Sequence, residues 1–297
     1  MKKSLIVILL LLFFKVCLMH APQIVCAIDP PHTGQDVSNA MNCNSCHYEP
    51  LNPTPAWVTA PEIEDKGFFT RSCLACHTPE NDSIRSFRYK DIQTHSTFQT
   101  STTYGTWSVE CIDCHDSHFQ PQAKLFPTDP NSNIATGTVS FVNTFLGATS
   151  ASITDTSANL LMDYNRYLLM PNTAHPERLY QIRQNSATTI SVYGAINPNY
   201  VKPGDTYAIK YGKMIRSQVG PYSFSMADVK FFNNQGPNSF ADSDTVVDGL
   251  CQVCHTRTNS FRYDGTLDGP GHPAGTAGTN CMRCHPHSRG FKAVSHE

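Results

Sequence analysis

Cys251-Gln252-Val253-Cys254-His255 is one of five Cys-x-x-Cys-His motifs in this chain of 297 residues. The two thiols of such a motif add to the vinyl groups of a haem, and the adjacent imidazole ligates the iron from one face. Five copies therefore predict five covalently bound haem c groups. The ten predicted attachment residues are Cys43, Cys46, Cys73, Cys76, Cys111, Cys114, Cys251, Cys254, Cys281 and Cys284. The five predicted proximal iron ligands are His47, His77, His115, His255 and His285.

Zinc is the main alternative, because paired Cys-x-x-Cys motifs also build tetrahedral zinc sites. Zinc does not explain why a histidine directly follows every pair, and an odd number of pairs does not divide into two-pair sites. Disulfides are the alternative for an exported chain. A bridge across two residues would be strained, and it would again leave the histidines unexplained. Covalent haem is the interpretation that uses every residue of the motif.

The N-terminus has the pattern of a secretory signal peptide. Two lysines precede an apolar run over residues 5–14, which is too short to span a bilayer. A small residue at Ala27 suits cleavage, so residues 1–27 are expected to be a signal peptide. We expect no membrane or lipid anchor. The predicted location is secreted, extracellular or on the outer cell surface, with the periplasm as the alternative.

The charge balance disfavours nucleic acid as a partner. Removing the leader takes away three of the 22 basic residues and none of the 24 acidic ones, which leaves a net charge of −5. Haem propionates would add further negative charge. A chain of this sign lacks the basic surface that binds phosphate backbones.

The motifs divide the mature chain into three segments. Residues 28–129 hold three motifs, residues 130–247 hold none, and residues 248–297 hold two. The first and last segments share the order Cys-x-x-Cys-His-Thr, Ser-Phe-Arg-Tyr, His and a second motif. Each copy therefore reads as a two-haem unit, with the motif at Cys43 as an additional single haem at the front.

The middle segment has the composition of strands. Runs rich in β-branched and aromatic residues cover 139–145, 188–193, 207–211 and 229–232, with turn signals between them. They predict a small antiparallel β module. Elsewhere we expect low regular secondary structure with short helices around the covalent haems, and one longer helix over 157–169. The predicted fold class is therefore a multihaem cytochrome c with a small β module in its middle.

Histidines outside the motifs are the candidates for the second face of each iron. Five irons need five such ligands, and the surplus of histidine favours ligation by histidine over methionine, with low reduction potentials. The mature chain offers seven: His32, His95, His118, His175, His272, His287 and His296.

Spacing limits which haem each histidine can serve. His118 lies three residues after His115, and His287 lies two residues after His285. Neither can reach the far face of its own haem, because the macrocycle stands between. Each can reach the iron of a neighbouring haem.

These limits lead to one predicted assignment within each repeat. The first haem is left to His32 or His175, and His296 is expected to be a surface residue. The assigned pairs are His118 with the haem on Cys73 and Cys76, His95 with the haem on Cys111 and Cys114, His287 with the haem on Cys251 and Cys254, and His272 with the haem on Cys281 and Cys284.

Several stretches of the chain resemble the extracellular multihaem cytochromes of metal-reducing bacteria, some of which polymerise into haem-filled filaments called cytochrome nanowires. The resemblance lies in Phe231-Phe232, in Asn238-Ser239-Phe240-Ala241-Asp242, in the motif regions 248–256 and 281–291, and in the β-rich stretch 206–213. It implies bis-histidine haems packed as a chain along the molecule.

The resemblance also implies that a terminal haem takes its last ligand from an adjacent subunit. His32 is the natural candidate, because it lies on an N-terminal arm expected to be free, and His175 would then serve the first haem internally. The expected partners are copies of the same chain or other cytochromes, and extracellular acceptors such as metal oxides.

The function predicted from these observations is electron transfer by haem-to-haem hopping, with no bond-making reaction and no catalytic residues. One alternative is a monomeric periplasmic or outer-surface electron shuttle. Another is a multihaem reductase, which would need one haem with an open face. No Cys-x-x-Cys-Lys variant is present, and the histidine count allows every face to be filled, so the reductase is the weaker alternative.

Overall fold

A seven-stranded antiparallel sheet dominates the part of the chain that the computed structural model describes. That part comprises residues 29–30, 32, 73, 95–96, 108–145, 147–220, 226–241, 246–255, 280–287 and 290–291. The strands are β1 (His95–Ser96), β2 (Ser108–Val109), β3 (Ala135–Thr138), β4 (Phe141–Asn143), β5 (Ser150–Thr154), β6 (Leu168–Met170), β7 (Tyr180–Asn185), β8 (Thr189–Tyr193), β9 (Thr206–Lys210), β10 (Gln218–Val219) and β11 (Ala227–Asp228). The helical elements are α1 (Cys111–Cys114), α2 (Pro121–Leu125) and two 3₁₀ turns, Pro130–Ser132 and Cys281–Arg283.

The order of strands in the large sheet is β3-β9-β6-β7-β8-β5-β4, and every neighbouring pair is antiparallel. Strands β7 and β8 form a tight hairpin. In its turn the Ser186 N–H donates a hydrogen bond to the Thr189 carbonyl at 2.8 Å. In β5 and β8 buried and half-buried residues alternate, as expected of strands with one face on a core. Two further sheets, β1 with β2 and β10 with β11, have two strands each.

Strands β6 and β9 are covered on both faces. On one face Leu169 and Tyr207 join the largest apolar cluster of the molecule. On the other face Leu168 and Met170 pack with Ala123 of α2. Helix α2, which follows the Cys-x-x-Cys-His motif at 111–115, therefore packs on the sheet. This contact positions the motif next to the sheet.

A third apolar cluster brings three Cys-x-x-Cys-His motifs together beside the sheet. Its buried members are Ile215, Val219, Val229, Phe231 and Phe240. Cysteines of the motifs that begin at positions 111, 251 and 281 pack against it, namely Cys114, Cys251 and Cys281. Two segments that are far apart in the sequence thus share one core.

The predicted fold class is wrong for the described residues. The prediction was little regular structure around haems with a small β module, whereas the structure is mostly one large antiparallel sheet with two short helices in the described ranges. The prediction of a helix over 157–169 is also wrong, because residues 168–170 pair with β7 and β9. Short strands of three to six residues pair with partners remote in sequence, and composition does not reveal such pairing.

The predicted signal peptide and the first motif lie outside the described residues. Among those residues, no helix has the length and apolar character needed to cross a membrane.

Candidate haem site

The three motifs that the structure describes share one local conformation. In each, the backbone N–H of the histidine donates to the carbonyl of the first cysteine, at 2.9 Å for His115, 2.8 Å for His255 and 2.8 Å for His285. A single helical turn therefore separates the two cysteines, so their sulfurs lie on the same face of the turn. The histidine leaves the turn directly afterwards. The spacing of the motif thus presents two thiols and one imidazole together.

The motif at 111–115 is fixed by its neighbours on both sides. The Glu110 N–H donates to Asp113 Oδ2 at 2.7 Å, and this hydrogen bond is part of the capping box at the start of α1. His115 forms an antiparallel bridge with Ile215, and the Arg216 N–H donates to the Cys114 carbonyl at 2.9 Å. The stretch that follows β9 therefore holds this motif as a short strand would.

Two proximal imidazoles are oriented by backbone carbonyls. His115 Nδ1 lies 3.0 Å from the Lys213 carbonyl oxygen, and His285 Nδ1 lies 2.9 Å from the Phe291 carbonyl oxygen. A carbonyl only accepts hydrogen bonds, so each Nδ1 must carry the proton. This tautomer places the lone pair of the neutral ring on Nε2, the arrangement that metal-ligating histidines use.

Imidazoles from remote parts of the chain lie next to each other in two pairs. The ring centroids of His115 and His287 are 6.3 Å apart, with 31° between the ring planes. Those of His95 and His255 are 5.8 Å apart, with 29° between the planes. With metal–nitrogen bonds of about 2 Å and each nitrogen about 1.1 Å from its ring centroid, two imidazoles on one iron have centroids about 6.2 Å apart. The first pair has this spacing, and the second pair is slightly closer. The residues present therefore fit a bis-histidine iron.

Phe291 connects three of these imidazoles. Its ring centroid lies 5.1 Å from that of His95 and 4.5 Å from that of His287, while its carbonyl accepts from His285. Its backbone has a positive φ of 64°, a conformation that costs a residue with a side chain of order 1 kcal/mol or more. The surrounding contacts hold it there.

Burial keeps the histidines of the second pair in the ligating form. Burial, reinforced by the neighbouring His255, lowers the pKa of His95 to about 4. Burial also lowers the pKa of His255. Both rings are therefore neutral near pH 7, and neutral imidazole is the form that binds metal ions.

No disulfide joins any two of the described cysteines. The seven are Cys73, Cys111, Cys114, Cys251, Cys254, Cys281 and Cys284. Burial raises the pKa of the Cys114 thiol to about 12. A hydrogen bond between Cys251 and Cys281 raises the pKa of the first and lowers that of the second. The attachment points of two different motifs are therefore in contact.

The N-terminal arm is docked on its own chain. Buried Asp29 receives the Gln120 N–H at 2.8 Å and pairs with Lys124 Nζ at 2.7 Å. His32 Nδ1 lies 3.0 Å from the Ser117 carbonyl oxygen. The expectation of a free arm is therefore wrong for these residues. The docking brings His32 to the residue that precedes His118.

His175 lies on the β module. Its Nδ1 is 3.3 Å from Glu177 Oε1, and its ring packs against Tyr200 at 5.1 Å between centroids. The structure does not bring it to any of the haem motifs whose residues are described.

The observed imidazole pairs differ from the predicted assignment. The prediction placed His95 opposite His115 and His287 opposite His255, whereas the structure brings His287 to His115 and His95 to His255. Sequence reasoning also missed Phe291 and the Lys213 carbonyl, for which no spacing signal exists. The remaining candidates lie outside the described residues: Cys43, Cys46, His47, Cys76, His77, His272 and His296.

Over the described ranges, His, Cys, Asp and Glu side chains form no group of three or more that could hold a metal ion. A haem iron asks for only two ligands from the protein, since the porphyrin supplies the other four. Comparison with protein-family models, with curated proteins and with solved structures found no match.

Proposed function

We propose that this chain is an exported electron-transfer protein that carries five covalent haems and passes electrons among them by hopping. The single observation that carries the proposal is the pair His115 and His287, whose ring centroids are 6.3 Å apart. Five Cys-x-x-Cys-His motifs in one chain support the same conclusion from the sequence. Bound haem would supply an iron centre that accepts and releases one electron at a time.

The cysteines would hold the cofactor without any redox step. Each thiol would add its S–H bond across a vinyl group, so that sulfur bonds to one carbon and the proton goes to the other. The single turn within each motif presents both sulfurs on one side, and this supports attachment at two points. Such an addition needs thiols rather than disulfides, and no disulfide joins the cysteines of the described motifs.

The histidines would hold the iron and set its potential. The Lys213 and Phe291 carbonyls orient His115 and His285, and a donated Nδ1 hydrogen bond makes an imidazole a stronger ligand. Two imidazole ligands favour lower potentials than a histidine with a methionine. The chain would therefore work at low potential, as a respiratory carrier of outgoing electrons requires.

Closeness of the attachment points supports hopping between haems. Cysteines of three motifs pack on one apolar cluster, and Cys251 and Cys281 share a hydrogen bond. Porphyrins attached at touching sulfurs would lie edge to edge. The apolar surroundings of Phe231 and Phe240 would exclude water from this region, which lowers the reorganisation that each transfer demands.

The decisive experiment is production of the full chain in a bacterial host that matures c-type cytochromes. We expect five haems per chain by the pyridine haemochrome assay and a reduced-cytochrome spectrum on addition of dithionite. The double variant Cys251→Ala/Cys254→Ala should carry one haem fewer. A colourless protein, or one that holds zinc on its cysteines instead, would refute the proposal.

The rivals predict different spectra and sizes. A multihaem reductase would show a high-spin ferric haem in the wild-type protein, whereas bis-histidine haems give low-spin signals only. A monomeric shuttle would elute at the size of one chain. Polymerisation would appear as filaments by electron microscopy.

For its partners we propose copies of this chain or other cytochromes, with extracellular acceptors such as metal oxides at the end of the path. His32 is the candidate ligand from a neighbouring subunit, and its ring lies beside Ser117 on the surface of its own chain. If filaments of the His32→Ala variant form with every haem low-spin, His32 does not have this role.

A further inference from the structure

We infer that two of the haems are ligated across the chain, each by one histidine from the N-terminal segment and one from the C-terminal segment. The haem on Cys111 and Cys114 takes His115 and His287. The haem on Cys251 and Cys254 takes His255 and His95. This inference rests on the proposed function and goes beyond it by assigning which histidine closes which iron.

The first crossed pair is defined by distance and tautomer. The centroid separation of 6.3 Å between His115 and His287 is close to the spacing of about 6.2 Å worked out above for two imidazoles on one iron. The Lys213 carbonyl directs the lone pair of His115 to Nε2. His287 follows His285 by two residues and cannot reach the far face of the haem that His285 serves. Its iron must therefore belong to another motif, and the described neighbour is His115.

The second crossed pair has the same form. The rings of His95 and His255 are 5.8 Å apart and differ by 29° in plane, nearly the angle of the first pair. His95 begins β1, whose pairing with Val109 in β2 holds it next to the motif at 111–115. That motif contributes the proximal ligand of the first crossed haem. The two crossed irons are thus built from one compact set of four imidazoles.

Phe291 is the positioning residue of this set. Its ring touches His95 and His287, the two distal ligands, one on each crossed haem. Its carbonyl orients His285, the proximal ligand of a third haem. One residue, Phe291, therefore contacts histidines that would serve three different haems, so these three haems would lie close to one another.

Crossed ligation changes how the protein is assembled. The two haem-bearing segments flank the β module in the sequence, and an assignment within each repeat would leave them as separate units. With crossed ligands, each iron becomes a bond between the two segments in addition to the apolar cluster they share. Neither crossed haem can become six-coordinate until the C-terminal segment has folded against the sheet.

The test combines ligand removal with haem removal in the full holoprotein. His287→Ala should convert one haem to a high-spin ferric state by electron paramagnetic resonance, and added imidazole should return it to low spin. Removing the haem at the 111 motif with Cys111→Ala/Cys114→Ala should abolish that high-spin signal. Removing the haem at the 251 motif should leave it unchanged.

The His95→Ala variant tests the second crossed haem in the same way. Its high-spin signal should vanish when Cys251 and Cys254 are replaced and persist when the 111 motif is replaced. Arg178→Ala is the control, because its guanidinium lies over the Tyr200 ring on the β module, 4.6 Å from the ring centroid, and it should leave every haem low-spin.

Three other outcomes have clear meanings. If each signal vanishes with the opposite motif, the assignment within each repeat is correct and crossed ligation is refuted while the haem function stands. If no variant shows a high-spin haem, neither histidine is a ligand. If the wild-type protein has no haem, the proposed function itself fails. Should a double variant not fold, a crystal structure of the wild-type holoprotein decides the question by the iron–Nε2 distances of His95 and His287.

Discussion

Gln122 connects two stretches of backbone that pack beside the motif at 111–115, one at Arg216 and one at Val229 to Phe231, and its replacement should weaken the whole arrangement. Its Nε2 donates to the carbonyls of Arg216 and Val229 at 2.8 and 2.9 Å, and its Oε1 accepts from the Phe231 N–H at 3.1 Å. The residue is 5% exposed. We consider Gln122→Leu, which keeps the size and suits a helix but can make none of these hydrogen bonds.

The magnitude follows from the groups left behind. Three buried backbone groups lose their hydrogen-bond partner. Each unpaired group lowers the stability by about 2 kcal/mol, or about 6 kcal/mol together. An apolar leucine in the same place returns about 2 kcal/mol of hydrophobic stabilisation. The free energy of unfolding should therefore fall by about 4 kcal/mol. With a slope of about 2 kcal/mol per molar urea, the unfolding midpoint should fall by about 2 M.

The assay is urea unfolding of the holoprotein, followed by far-ultraviolet circular dichroism for the sheet and by the haem Soret band for ligation. Gln218→Leu is the matched control, because Gln218 is exposed and its single hydrogen bond to Asp228, of 2.8 Å, lies at the surface. Its stability should stay within about 0.5 kcal/mol of the wild type. If Gln122→Leu shifts the midpoint no more than this control does, the hydrogen bonds of Gln122 do not support the site.

Three further predictions concern the sheet. Burial lowers the pKa of Lys210 from 10.5 to about 8, so between these values the unfolded chain binds more protons than the native one. The urea midpoint should therefore rise from pH 8 to pH 10.5, and Lys210→Met should remove that rise; a flat wild-type profile would count against it. Burial raises the pKa of Asp155, but hydrogen bonds led by those from Ser157 outweigh it and hold the pKa below its usual value. Asp155→Asn should cost about 2 kcal/mol at pH 7, and its difference from wild type should shrink as acid titration passes below the ordinary Asp pKa of about 3.9; a gap that persists in acid would contradict the assignment. At Gly137 an added Cβ would overlap Asp155 Oδ2 and lie 2.6 Å from Tyr207 Oη. Gly137→Ala should therefore lower the melting temperature by several degrees, and an unchanged value would show that this buried pair can move.

The strands show how far composition reaches. The β-branched and aromatic run at 188–193 overlaps β8, and that at 207–211 overlaps β9. Composition does not predict strand β6, because Leu168–Met170 is a run of three apolar residues that suits a helix as well as a strand. It becomes a strand because β7 and β9 present backbone groups to it on both sides. Strand β7 is the next strand along the chain, but β9 follows only after β7 and β8.

The amino-acid sequence by itself determined the local chemistry of this protein. The spacing of two cysteines and a histidine gives one turn of backbone. That turn is the same in all three described motifs, because it is closed by a local hydrogen bond from the histidine N–H to the carbonyl of the first cysteine, four residues earlier. The spacing also predicts that His287 would not ligate a haem held by Cys281 and Cys284. Only the tertiary structure decided the sheet order and which imidazoles meet. Those outcomes depend on apolar burial between distant segments, and Phe291, His95 and His287 come together only after the sheet and its neighbouring cluster have closed.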